Sequence, residues 1–109
     1  MPSVYKQLGQ INPGTPWTAL YTVPAAGNVV LSTIVVCNTS TTARTFRIAT
    51  VPTSGTTPTT ANCQAYDTNL PANESIIMTL GMTMSGSFCV KAYGSTTDVT
   101  FTAFGTEIT

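Results

Sequence analysis

Cys89 and Lys91 stand two apart in FCVKAY, where a strand would put the thiol and the ammonium on one face. A thiol attacks only as the thiolate, which a neighbouring cation or base must favour. Lys91 is the sole candidate activator, and a lysine that merely solubilises a sheet is the reading expected here. The sequence has no histidine, which removes the commonest general base and metal ligand. The four carboxylates, Asp67, Glu74, Asp98 and Glu107, are scattered. Neither Gly-x-Ser-x-Gly nor a phosphate-cradling GxxxxGK occurs. The chain is therefore expected not to be an enzyme, and to hold no metal, cofactor or small-molecule substrate. Tyr5, Trp17, Tyr21, Tyr66 and Tyr93 could stack on sugars or bases. The acids and amides of a glycan-binding face are thin, so core or interface roles are expected instead. Met82 and Met84, in LGMTMSG, suit either an adaptable contact edge or edge-strand packing.

What must position these residues is a small, almost uncharged domain. The chain has 109 residues, enough for one core. Only 7% of them are charged, against about 25% in ordinary domains. Lys6, Arg44, Arg47 and Lys91 balance the four acids, and no basic run exists to neutralise phosphates. Nucleic-acid binding is thus disfavoured. Neutrality lowers the electrostatic barrier to association, which suits an assembly component. The sequence contains 23 Thr and 8 Ser; threonine fits pleated surfaces and forms helices poorly. Cys37, Cys63 and Cys89 form no CxxC pair and are odd in number, so reduced thiols are expected. The segment MPSVYKQLGQINPG lacks the apolar core of a signal peptide. No apolar run approaches the roughly 20 residues of a membrane helix. A protein made in a cytoplasm, with no membrane partner, is expected.

Turn signals such as NPGTP, PAAG, NLPAN and GSTTD punctuate the chain. Between them lie eight β-rich runs, at 4–8, 18–23, 29–38, 44–51, 63–67, 75–82, 88–93 and 99–104. We therefore expect an all-β, single-domain antiparallel β-sandwich of about eight strands, jelly-roll-like. Residues 1–17 are read as an N-terminal arm or first strand, and 18–109 as the sandwich. Alternation points Phe46 and Ile48, Ile76, Met78 and Leu80, Phe88, Val90 and Ala92, and Val99, Phe101 and Ala103 inward. The last two strands are expected to form a hairpin across 94–98. The Thr- and Pro-rich loop 52–60 is expected to be a mobile or partner-ordered excursion.

The run VVLSTIVVCN at 29–38 is the strongest signal for assembly. Uniform alternation puts Val29, Leu31 and Val35 on one face and Val30, Ile34 and Val36 on the other. Both faces are apolar, so both need cover. One cover is the opposing sheet. The other is a loop, the arm 1–17, with Val4, Tyr5, Leu8, Ile11 and Trp17, or another chain.

The strings YKQLGQINPG, LYTVPAAG, STIVVCNTSTTARTFRIATVP, PANESIIMTLGMTM and FTAFGTEI are similar to those of small virion proteins of tailed phages. That family, found in phages of cyanobacteria and other bacteria, carries Tyr-Lys-x-Leu-Gly-Gln, Leu-Tyr-Thr-Val-Pro, Thr-Phe-Arg-Ile-Ala and Phe-x-x-Phe-Gly-x-Glu-Ile. The resemblance runs over about 5–108. It departs at Thr39, where relatives often carry Arg, and in the longer 52–60 loop. The resemblance implies a bacteriophage virion structural protein. Its leading form is a capsid decoration (cement) protein on the capsid surface, self-associating as a trimer and stabilising the major capsid protein shell. A neck, baseplate or tail-fibre protein is the alternative, and a host-glycan-binding module is a third, from another class. The candidate contacts are Tyr5, Leu8, Trp17, Val29, Leu31, Val35, Met82 and Met84.

Overall fold

The β-branched runs between turn signals fold as strands throughout. They are β1 Ser3–Ile11, β2 Thr18–Thr22, β3 Asn28–Asn38, β4 Arg44–Val51, β5 Cys63–Leu70, β6 Ser75–Ser85, β7 Cys89–Gly94 and β8 Val99–Ile108. The computed structural model describes residues 3–15 and 17–108, residue 3 by its backbone alone. Residues 1, 2 and 16 of the expected arm, and residue 109, lie outside that description. A 3-10 turn, Thr60–Asn62, precedes β5.

All strand pairs are antiparallel, in two four-stranded sheets of order β1-β8-β3-β6 and β2-β7-β4-β5. The pairing is nested: β1 with β8, β2 with β7, β3 with β6, β4 with β5. An antiparallel ribbon wrapped in this way is the jelly-roll-like sandwich expected from the sequence. The expected arm is an edge strand of the first sheet along β1. The hairpin at 94–98 is not formed, because β7 and β8 belong to different sheets and the segment crosses the sandwich. Alternation could not reveal this, since both strands present one apolar face to the same core.

The core lies between the sheets. Phe46, Ile48, Val90 and Ala92 meet Leu31, Ile34, Val36, Val99, Phe101 and Ala103 there. Phe46 and Phe101 touch edge to face with ring centres 6.2 Å apart. Phe88, expected inward, precedes β7 and is 37% exposed.

Strand β3 corrects the expectation built on it. Val29 and Leu31 are core residues, not exterior ones, at 1% and 0% exposure. Alternation breaks at Ser32: Leu31 opposes Gly105 and Thr33 opposes Phe104, leaving Ser32 as an extra residue. Such a bulge turns two consecutive side chains to one side and resets the phase. Val29, Leu31, Ile34, Val36 and Asn38 point inward, while Val30, Ser32, Thr33, Val35 and Cys37 point outward. The strand looks apolar on two faces only when its alternation is drawn straight through the bulge. Irregularities at Leu8 in β1 and beside Gly81 in β6 fall in the same row. Gly105 lets this row close up, because a Cβ there would lie 2.3 Å from the Val30 carbonyl oxygen.

The outer side of the second sheet has its own cover. Register with β7 puts Ala49, Val51 and Cys89 opposite to the inward set, yet all three are fully buried. In the loop 52–62 that follows β4, Pro58 is buried and the 3-10 turn packs against β4. Thr53 and Thr56 tie the loop to itself through backbone and hydroxyl hydrogen bonds. The loop is thus anchored to its own chain through Pro58 and the 3-10 turn. The three cysteines are free thiols.

Candidate functional site

With no cluster of catalytic types in the sequence, the outer faces of the two sheets are the surfaces to weigh. On the first sheet, register turns Tyr5, Gln7 and Gln10 of β1 outward beside Thr100, Thr102, Phe104 and Thr106 of β8. Val30, Ser32, Thr33 and Val35 of β3 and Ile77, Thr79 and Thr83 of β6 continue the surface. None of these residues is charged. Tyr5 and Ile77 are 65% and 68% exposed. Polar contacts bind the face to itself: Tyr5 and Ser32 hydroxyls lie 2.9 Å apart, and Gln10 Nε2 donates to Thr102 Oγ1 at 3.0 Å. A depression of about 360 Å³ opens where residues 28–30, 83–85 and Ile108 meet, and no titratable side chain lines it.

The candidate contacts scatter. Tyr5 and Val35 share the uncharged face, Val35 partly buried there. Leu8 and Met82 pack at the margin of the core, and Met84 is buried in it. Val29, Leu31 and Met84 thus belong to the core between the sheets, with Val29 and Met84 also at the floor of the depression. Trp17 lies on the opposite side of the molecule, its ring 5.6 Å from that of Tyr93.

That opposite side holds a cluster the sequence reading did not assemble. Arg47 points outward from β4 with its guanidinium carbon 4.2 Å from the Tyr66 ring and 4.3 Å from the Tyr93 ring. Its Nε and Nη2 donate to the two Asp67 oxygens at 2.6 and 3.2 Å. Phe46 opposes Thr68 and Ile48 opposes Ala65, so Tyr66 and Asp67 together face Arg47 across a bulge. Asp67 takes φ +47 to do so. The arginine holds the Asp67 carboxyl below its usual range. Trp17, Tyr93, Arg47 and Tyr66 form a row. The outward phase of Arg47 and Tyr93 was readable from alternation, but the β5 bulge that brings Tyr66 over was not.

Four of the remaining charges form two structural ion pairs. Arg44 pairs with Asp98 at 3.1 Å. Glu107 accepts from Lys6 at 2.7 Å and from the Tyr21 hydroxyl, which joins the first sheet to the second. Lys6 first, then Tyr21, keep the Glu107 carboxyl below its ordinary range. Burial pushes the Cys63 thiol up, away from nucleophilic character. Among the described residues no group of His, Cys, Asp and Glu is placed to hold a metal ion.

No family model and no curated protein matches the chain. Solved structures do. A chain in the structure of infectious bursal disease virus Gx strain aligns with a TM-score of 0.51 at 16% identity, over 96% of this chain and 29% of that one. One from the Gt strain aligns with a TM-score of 0.46 at 14% identity, over 97% and 29%. This chain thus spans less than a third of the length of either. At 16% identity the likeness to the Gx chain is one of fold.

Proposed function

We propose that this chain is a virion structural protein, and within that class a bacteriophage capsid decoration protein. It docks on the major capsid protein at the capsid surface and associates with its own copies. It carries out no catalysis. The observation that carries the reading is the uncharged outer face of the first sheet. Four strands spaced about 4.8 Å apart, each about 33 Å long, present roughly 600 Å². A specific interface buries about 800 Å² per partner, so this face with a little of its rim is the right size. Desolvating it strands no charge, while Val30, Val35, Phe104 and Ile77 supply apolar area. A jelly-roll-like fold shared with a chain of a virus particle is in keeping with a virion role. The resemblance to small tailed-phage virion proteins supports the virion role alone; within it, small size and near-absence of charge favour decoration.

Counting copies of the chain in purified particles by quantitative mass spectrometry tests this. Decoration predicts hundreds per particle. A handful, as in one ring of a neck, baseplate or fibre, would reject decoration in favour of those positions.

The Trp17–Tyr93–Arg47–Tyr66 row favours a second reading, a host-glycan-binding surface, since sugar rings stack on such platforms. Glycan arrays with the purified protein decide it. Binding lost in Tyr66→Ala would support this reading, and no binding at millimolar sugar would remove it.

A further inference from the structure

We propose that β6 is an edge through which two copies of this chain pair, antiparallel about a two-fold axis, joining their first sheets into one of eight strands. The proposal deepens the self-association in the reading above and rests on that reading for where the pair is used.

An edge strand presents unpaired backbone N–H and C=O groups, and native proteins guard such edges with charge, proline, brevity or bulges. Three of the four edges here are guarded. Strand β1 carries Lys6. Strand β2 has five residues and an irregularity. Strand β5 carries Asp67 and two register shifts. Strand β6, SIIMTLGMTMS, has eleven residues without charge or proline. Its stretch 75–80 runs unbroken up to Gly81, whose φ is +61. Ile77, outward on β6, is the most exposed large hydrophobic side chain among the described residues. On the inward side, Ile76, Met78, Leu80 and Met82 are only partly covered by the core they pack against. A partner strand would cover both rows.

The occupant that fits is a second copy. In a two-fold antiparallel pair, a strand's side chains lie against those of the identical strand, so any charge near the axis would meet its like. Strand β6 has none. Glu74 stands just before its first residue, which places the two carboxylates at opposite ends of the pair. The unbroken stretch 75–80, about 20 Å long and about 10 Å deep, buries roughly 200 Å² per copy, about a quarter of a standard interface. The pair is therefore weak alone. It sets two uncharged faces side by side, giving a shell roughly 1,200 Å² to bind. The contact is two-fold, where the phage resemblance implied a trimer.

Sedimentation of the purified protein from about 10 μM to about 1 mM tests the pair. The expected result is a reversible dimer whose dissociation constant rises about tenfold or more in the Ile77→Lys/Thr79→Lys double variant. Thr102→Lys, at the centre of the outer face, should leave the dimer intact. Hydrogen exchange of the unmutated protein should show β6 amides gaining protection with concentration while β1 and β5 amides do not. A monomer across the whole range would overturn the proposal. So would a dimer that survives the β6 charges, or one that Thr102→Lys abolishes. High copy number on particles with no solution pair would sink this inference and leave the virion reading standing. A solution pair with no particle location would do the reverse.

Discussion

Asn38 is 1% exposed and the one buried polar residue in the described core. Its Nδ2 donates to the carbonyl oxygens of Thr42, Leu70 and Pro71 at 2.8, 3.2 and 3.2 Å. Its Oδ1 accepts from the Ser40 amide and hydroxyl at 3.0 and 2.8 Å. One side chain thus holds the β3–β4 turn against the β5–β6 turn. Asn38→Ala would strand several of these groups and should lower stability by about 2–4 kcal/mol, read by chemical denaturation. From sequence, Asn38 is the last residue of the 29–38 run. Plain alternation already sets it on the face of Ile34 and Val36; its anchoring partners in the two turns were not readable. A second residue-scale effect is pH dependence. The folded Glu107 carboxyl is held low, so its contribution is full above about pH 4.3 and fades as pH falls through its folded value. Burial, then Glu107, raises the Tyr21 phenol, so its contribution is full below about pH 10 and fades above. Denaturation midpoints should therefore plateau between those limits. Glu107→Gln should soften both limbs, while Asp67, held low by Arg47, keeps part of the acid one.

Between residue and molecule, the bulge row decides which way each strand faces. Eight strands were readable because Thr, Val and Ile runs alternate between Gly-, Pro- and Asn-rich turns. The phase of β3 was not, because a bulge depends on what lies across it: Phe104 and Gly105 of β8, more than sixty residues away. Gly105→Ala tests the row, since its Cβ would fall 2.3 Å from the Val30 oxygen and 3.0 Å from Leu31 Cα. Loss of at least about 2 kcal/mol is expected. Gly81→Ala meets nothing within 4 Å and should cost about 1 kcal/mol, from its positive φ alone. Cys89 is buried although it alternates with Val90 and Ala92, and loop 52–62 is the expected cover. Thiol alkylation should spare Cys89 in the native protein. Pro58→Gly should speed its modification while circular dichroism stays unchanged. Equal rates in the two proteins would show that something other than the loop covers the thiol.

At the scale of the molecule, charge is segregated. Six of the eight charged side chains sit in three ion pairs, Lys6–Glu107, Arg44–Asp98 and Arg47–Asp67. None lies on the outer face of the first sheet. Composition foretold a neutral, association-ready surface. It could not say which face, because the run that pointed outward, Val29 and Leu31, belongs to the core, and the proposed face mixes threonine with scattered apolar and amide side chains. The two candidate surfaces lie on opposite sides of a sandwich, so one experiment separates them. Hydroxyl-radical footprinting should compare the free protein with the protein on assembled particles. Protection of Tyr5, Ile77 and Phe104 on assembly, with Tyr66 and Trp17 still reactive, is the predicted result. Protection of Tyr66 and Trp17, with Tyr5, Ile77 and Phe104 unchanged, would contradict it.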